Sequence, residues 1–185
     1  VIGDTLTRTD AERECLVALR RATGAPDSPM EGHGVRVFLL MERLAAGRGT
    51  GLDREIALCA SLLHDVGLYP CASHGAPYVV DSRRYAEEML RARGWPAPRL
   101  DACLDAIEYH HDLRAQWHRG PEAELLRRAD MIEISGGLLR FGLPRDEVRA
   151  IFQQVPRAGF YQEIARLVGR ALRERPASVP RIFLH

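Results

Sequence analysis

Lysine is missing altogether: all 26 basic residues of this 185-residue chain are arginine. Arginine is thus the one lasting cation available to hold an anion. The 25 acidic residues almost cancel it, and the formal net charge of +1 gives no global field that selects nucleic acid, an anionic membrane or acidic partners. Aromatic residues make up only 6%, and no basic stripe interleaves with them, which removes the usual signature of nucleic-acid binding. No apolar run approaches the roughly 20 residues that span a bilayer, and nothing resembles a signal peptide, so no membrane partner is expected. The four cysteines, Cys15, Cys59, Cys71 and Cys103, lack CxxC spacing. Cys59 and Cys103 fall on apolar helical faces, so free thiols in a reducing cytoplasm are the expectation. Neither a GxGxxG fingerprint nor a phosphate-binding P-loop occurs, and "GRGTG" lacks a preceding strand and reads as a plain turn.

What is present is helical. Hydrophobic residues at 46% and charged residues at 28% describe a globular chain with enough length for one well-packed core. Apolar spacing follows the helical period, with no sustained alternation of the strand type. It predicts helices at about 10–23, 30–47, 52–66, 81–94, 98–111, 121–135, 144–154 and 157–174. The expected architecture is all-α, a compact helical bundle forming a single domain over 1–185. The stretches "TGAPDSP", "GRGTG" and "GWPAP" separate helices, and Gly67 is expected to cap the third. Residues 68–80, "LYPCASHGAPYVV", make the longest break and the natural wall or lid of a pocket. The helices over about 140–175 are expected to cover the bundle or to build a homodimer interface, without chemistry of their own. The tail "RPASVPRIFLH" should run irregularly.

Polar residues fall on faces that should be buried. His33 shares a stripe with Val37, Leu40 and Leu44; His64 shares one with Ile56, Ala60 and Leu63. His111 aligns with Leu100, Leu104 and Ile107, with His110 alongside, and Asp130 lies between Leu126 and Ile134. Taken singly, each has a plain alternative: a hydrogen-bonded core histidine, a surface histidine pair, or an aspartate paired with Arg127 or Arg128. Burying any one of them unpaired costs several kcal/mol. Burying them together makes sense around a cation, because two neutral imidazoles and two carboxylates neutralise a divalent ion.

The order His33, then "LLHDVG" with His64 and Asp65, then "RRADMIE" with Asp130, resembles the HD-domain superfamily of metal-dependent phosphohydrolases over about residues 28–135. The resemblance implies a helical bundle with one divalent metal held by His33, His64, Asp65 and Asp130. Manganese, iron, cobalt, zinc, nickel and magnesium are the candidate ions. "AIEYHHD" is similar to a segment that in some members supplies extra histidines, so His110 or His111 could bind a second ion or a substrate phosphate. The other expected histidine is replaced by the stretch "DSRRYAEEML", which offers Asp81, with His74 in the preceding loop. That departure favours one ion over two.

The resemblance points to hydrolysis of a phosphate ester in a nucleotide or another small phosphorylated metabolite. Asp65 would orient or deprotonate the attacking water, and His110 or His111 would stabilise charge or protonate the leaving group. Arg36, Arg83 and Arg84 are candidates for spectator phosphate oxygens. Two other functions stay open: a hydratase, lyase or iron oxygenase acting on a small non-phosphate substrate, and a non-catalytic nucleotide-sensing domain. A narrow apolar pocket would favour the former; the complete ligand set speaks against the latter.

Overall fold

The computed structural model describes residues 2–174. Among these the chain forms helices and short 3₁₀ turns, with no strand. The helices are α1 (Ile2–Leu6), α2 (Asp10–Thr23), α3 (Pro29–Arg48), α4 (Arg54–Leu63), α5 (Tyr78–Ala92), α6 (Ala97–Glu108), α7 (Pro121–Ile134), α8 (Arg145–Gln154) and α9 (Phe160–Glu174).

Local chemistry sets most of the ends. Thr9 and Glu12 form a reciprocal capping box at the start of α2, and Gly24 closes that helix in the left-handed region at φ 82°. Ser28 caps α3 by accepting from the Glu31 amide, with Pro29 in the first turn, where its missing N–H costs nothing. Asp53 caps α4 by accepting from the Ile56 amide. The resulting α3 is the central rod of the bundle. It packs against α4 and α7 on its main faces and against α8 and α9 further round, while α5 pairs with α6 and α6 packs on α4 and α7. Its Val37, Phe38, Leu40, Met41 and Leu44 are all buried, joined by Leu58, Leu63, Leu104, Ile107 and Leu126 from the neighbours. Each such side chain contributes about 1.5–3 kcal/mol by leaving water.

The structure corrects the predicted bounds where the function lies. The third helix ends at Leu63, so His64 and Asp65 stand at its end rather than inside it. His64 keeps helical angles (φ −58°, ψ −29°) and Asp65 leaves them (φ −106°, ψ 3°), after which Val66–Leu68 make one 3₁₀ turn. Gly67 does not cap a helix in the left-handed region. It is needed because a Cβ there would lie 2.2 Å from the Tyr78 carbonyl oxygen and 2.7 Å from the Ser82 nitrogen. The bare backbone lets the first turn of α5 settle on the turn, and the Gly67 amide donates to Ser82 Oγ at 2.8 Å. Similarly, α6 ends at Glu108, which places His110 and His111 in the turn that follows. The short α1 lies outside the predicted set, and Ile134 is half-exposed rather than buried. Cys15, Cys59 and Cys103 are buried free thiols and Cys71 is an exposed one. No helix among the described residues is long and apolar enough to cross a membrane. The tail from 175 onward lies outside the described residues.

Candidate metal centre

Four elements deliver His and Asp side chains to one buried point. His33 comes from α3, His64 and Asp65 from the end of α4, His110 and His111 from the turn after α6, and Asp130 from α7. His33 Nε2 lies 2.9 Å from His64 Nε2 and 3.5 Å from both Asp65 Oδ2 and Asp130 Oδ1. His64 Nε2 lies 3.5 Å from Asp65 Oδ2 and 3.9 Å from Asp130 Oδ1. The second carboxylate oxygens look the other way: Asp65 Oδ1 is 3.7 Å from His110 Nε2, and Asp130 Oδ2 is 3.7 Å from His111 Nδ1.

The backbone fixes which ring nitrogens are free. His64 Nδ1 lies 2.8 Å from the Ser61 carbonyl and His110 Nδ1 2.6 Å from the Ile107 carbonyl. A carbonyl can only accept, so each Nδ1 carries the proton and each Nε2 offers a lone pair to the centre. His33 Nδ1 faces Glu133 Oε2 at 3.2 Å, giving the same tautomer. With both imidazoles neutral, the facing Nε2 atoms of His33 and His64 oppose two lone pairs at 2.9 Å, an arrangement relieved by a proton on His33 or by a metal ion between them. Asp65 Oδ1 and both Asp130 oxygens are buried without a hydrogen-bond partner among the described residues. Orphaned carboxylate oxygens of this kind cost several kcal/mol apiece unless a positive charge compensates them. The donor set of imidazole and carboxylate groups fits a divalent transition ion.

Electrostatics without an ion point the same way. Burial opposes protonation of His33, but Asp65 and Glu133 outweigh it and raise its pKa to about 10. The His33 imidazolium is then a positive charge set among these carboxylates. Burial holds Asp130 well above the usual carboxylate range despite His33. Burial would also raise Asp65, but His64, His33 and His110 hold it well below that range. Burial lowers His64, and it lowers His110 further with help from His111 and His64. His111 falls to about 4, again chiefly by burial. These are neutral imidazoles, the form that ligates metals.

Three residues of the site were not singled out from sequence. Glu133 lies one turn past Asp130 on the same face of α7, and its spacing in "RRADMIE" was the available signal. Phe160, the first residue of α9, stacks on His33 with ring centroids 4.7 Å apart and planes inclined by 17°, so the C-terminal helices do contribute to the site. Tyr78 opens α5, and its hydroxyl reaches both His110 and His111. No sequence signal marks these last two, because both act across the fold.

The arginines and the loop acids stand elsewhere. Arg36 is buried and committed, its Nε donating to Glu133 Oε1 at 2.7 Å and its Nη1 to the Pro156 carbonyl at 3.0 Å. It supports the carboxylate behind His33 instead of reaching for a substrate. Arg83 is paired with Asp105 and Glu108 on α6, and Arg84 is exposed. Asp81 is buried but holds the loop, accepting from the His74 amide at 2.9 Å, while the His74 side chain is exposed. Neither belongs to the groups of side chains that meet at the centre.

Residues 30–134 match the family model of the HD domain, a span that includes His33, His64, Asp65, His110, His111 and Asp130. The chain belongs to the HD-domain family. HD domains bind divalent metals and are commonly metal-dependent hydrolases. The helical HD fold seen here brings the His and Asp groups of that motif together. No curated protein matches the chain.

Proposed function

We propose that this HD domain is a metal-dependent phosphohydrolase acting on a nucleotide or another small phosphorylated metabolite. The observation that carries the reading is that Asp65 and Asp130 each bring a carboxylate oxygen within 3.5 to 3.9 Å of the His33 and His64 Nε2 atoms, with buried carboxylate oxygens left unpaired. These four residues would hold the ion. A divalent ion in that position supplies a Lewis acid and lowers the pKa of water.

The chain's own groups divide the remaining work. His110 is neutral and protonated at Nδ1, so its Nε2 can take up a proton from the attacking water. This is a base, not an initial acid. Asp65 Oδ1, 3.7 Å away, stabilises the imidazolium that results and orients the water's proton toward it. The charged His110 can then return the proton to the leaving oxygen. Tyr78 places its hydroxyl beside the same histidines and helps to hold them in place. Phe160 and the buried wall around His33 exclude bulk water from the ligand side.

A second reading is hydration of a small uncharged substrate such as a nitrile. It is favoured by the commitment of Arg36 and Arg83 to internal carboxylates, which removes them as a phosphate clamp. The test is a panel of nucleotides, sugar phosphates and small nitriles, run with each candidate metal, with oxygen uptake followed for the iron-loaded protein. Phosphate release that is lost in His64→Ala and Asp65→Ala supports the proposal. Nitrile or oxygen turnover without phosphate release transfers it to the second reading or to an oxygenase. Nucleotide binding without any turnover identifies a sensor.

A further inference from the structure

The two carboxylates of the centre are symmetrically disposed. Asp65 and Asp130 each present one oxygen to the His33–His64 pair and the other to the His110–His111 pair. By donor placement alone, a second cation position exists between His110, His111 and Asp130. Tyr78 is the residue that changes its character.

The phenol hydroxyl makes a short contact with His111 Nε2 and lies 3.4 Å from His110 Nε2. Asp65 also sits beside it. The single hydroxyl proton is thus surrounded by acceptors, and His111 is the one it meets at closest range. The other side of the His111 ring favours one tautomer. Its Nδ1 faces Asp130 Oδ2, where a lone pair would oppose a carboxylate and an N–H is attracted to it. With the proton on Nδ1, Nε2 must accept, and Tyr78 donates.

We propose that Tyr78 locks His111 in the Nδ1–H tautomer, withdraws both of its nitrogens from ligation and limits the centre to one ion. His111 then acts as a positioning residue between Tyr78 and Asp130. This rests on the reading of the cluster as a metal centre. Removing the hydroxyl takes away the donor to Nε2 and lets the ring change tautomer, which restores a ligating nitrogen to the second pair.

The experiment is metal stoichiometry by mass spectrometry of the full chain after saturation with zinc and removal of excess. The variants are wild type, Tyr78→Phe, and Tyr78→Phe combined with His111→Ala, with folding checked by circular dichroism. Expected values are one ion per chain, two, and one. Long-range ¹⁵N spectra of the zinc-loaded wild type should assign His111 as the Nδ1–H tautomer, a readout that needs no variant to fold. Two ions in wild type, one in Tyr78→Phe, or a ligated His111 in wild type overturns the inference while leaving the metal centre intact. No ion in wild type overturns the underlying reading as well.

Discussion

The imidazole of His33 is held from two sides, by Glu133 at its Nδ1 and by the Phe160 ring on its face. Arg36 in turn anchors Glu133, and Arg36 lies 5.5 Å from the Phe160 centroid, so the three form one buried support. Such outer partners fix a ligand's tautomer and basicity, and their loss typically lowers metal affinity about 10–100-fold. Glu133→Gln keeps the shape and removes the charge, so calorimetric titration with manganese should show a fall of about that size in a folded protein. An unchanged affinity would mean that His33 needs no such support. The sequence shows its polar residues on buried faces, and this much of the site is legible as His33, His64, Asp65 and Asp130. Glu133 could have been read from its spacing to Asp130. Phe160 and Tyr78 could not, since their roles depend on which distant elements meet, and the periodicity of one helix carries no information about that.

Among the elements, α4 and the turn after it deliver the central pair of side chains. The apolar period runs smoothly through His64 because that residue still has helical angles, so the pattern gives no hint that the helix has ended. The same holds for α6, whose stripe carries past Glu108 into the turn bearing His110 and His111. By contrast α2 runs from Asp10 to Thr23 as its capping residues dictate, because Thr9, Glu12 and Gly24 all act locally. Two substitutions test the turn and the helix before it. Gly67→Ala forces a Cβ against the backbone of α5 and should cost about 1–3 kcal/mol or more, measured by urea unfolding. Asp53→Ala removes the α4 cap and the partner of Arg99, with an expected loss of about 1–2 kcal/mol. Stability within about 0.3 kcal/mol of wild type would show that the turn, for Gly67→Ala, or the start of α4, for Asp53→Ala, is not held as described.

For the whole molecule, buried and half-buried carboxylates set the response to acid. Asp53 is held below its ordinary range by Arg99. Burial would raise Glu124, yet Arg127, the Gln116 amide and Arg128 hold it lower. A carboxylate whose pKa is lower in the folded chain stabilises it above the unfolded value, about 4, and loses that contribution as pH falls through the folded value. The contribution of Asp53 and Glu124 to the urea midpoint is therefore constant from pH 7 to about 5 and is lost below about 4, while the buried neutral His64, His110 and His111 already lower the midpoint as pH falls below about 6.5, where the unfolded imidazoles take up protons. A midpoint that rises on acidification would contradict these assignments. Metal binding acts on the same equilibrium: at about 100 times its dissociation constant an ion adds about 2.7 kcal/mol to stability. For a chain of this size that is a rise of roughly 5–10 °C in Tm, and it should be absent in Asp130→Asn. The most direct measurement is anomalous diffraction at the manganese edge from crystals of the manganese-loaded protein. The predicted result is a strong peak bounded by His33 Nε2, His64 Nε2, Asp65 and Asp130. No peak there, or a peak held by other residues, would contradict a metal centre at this point.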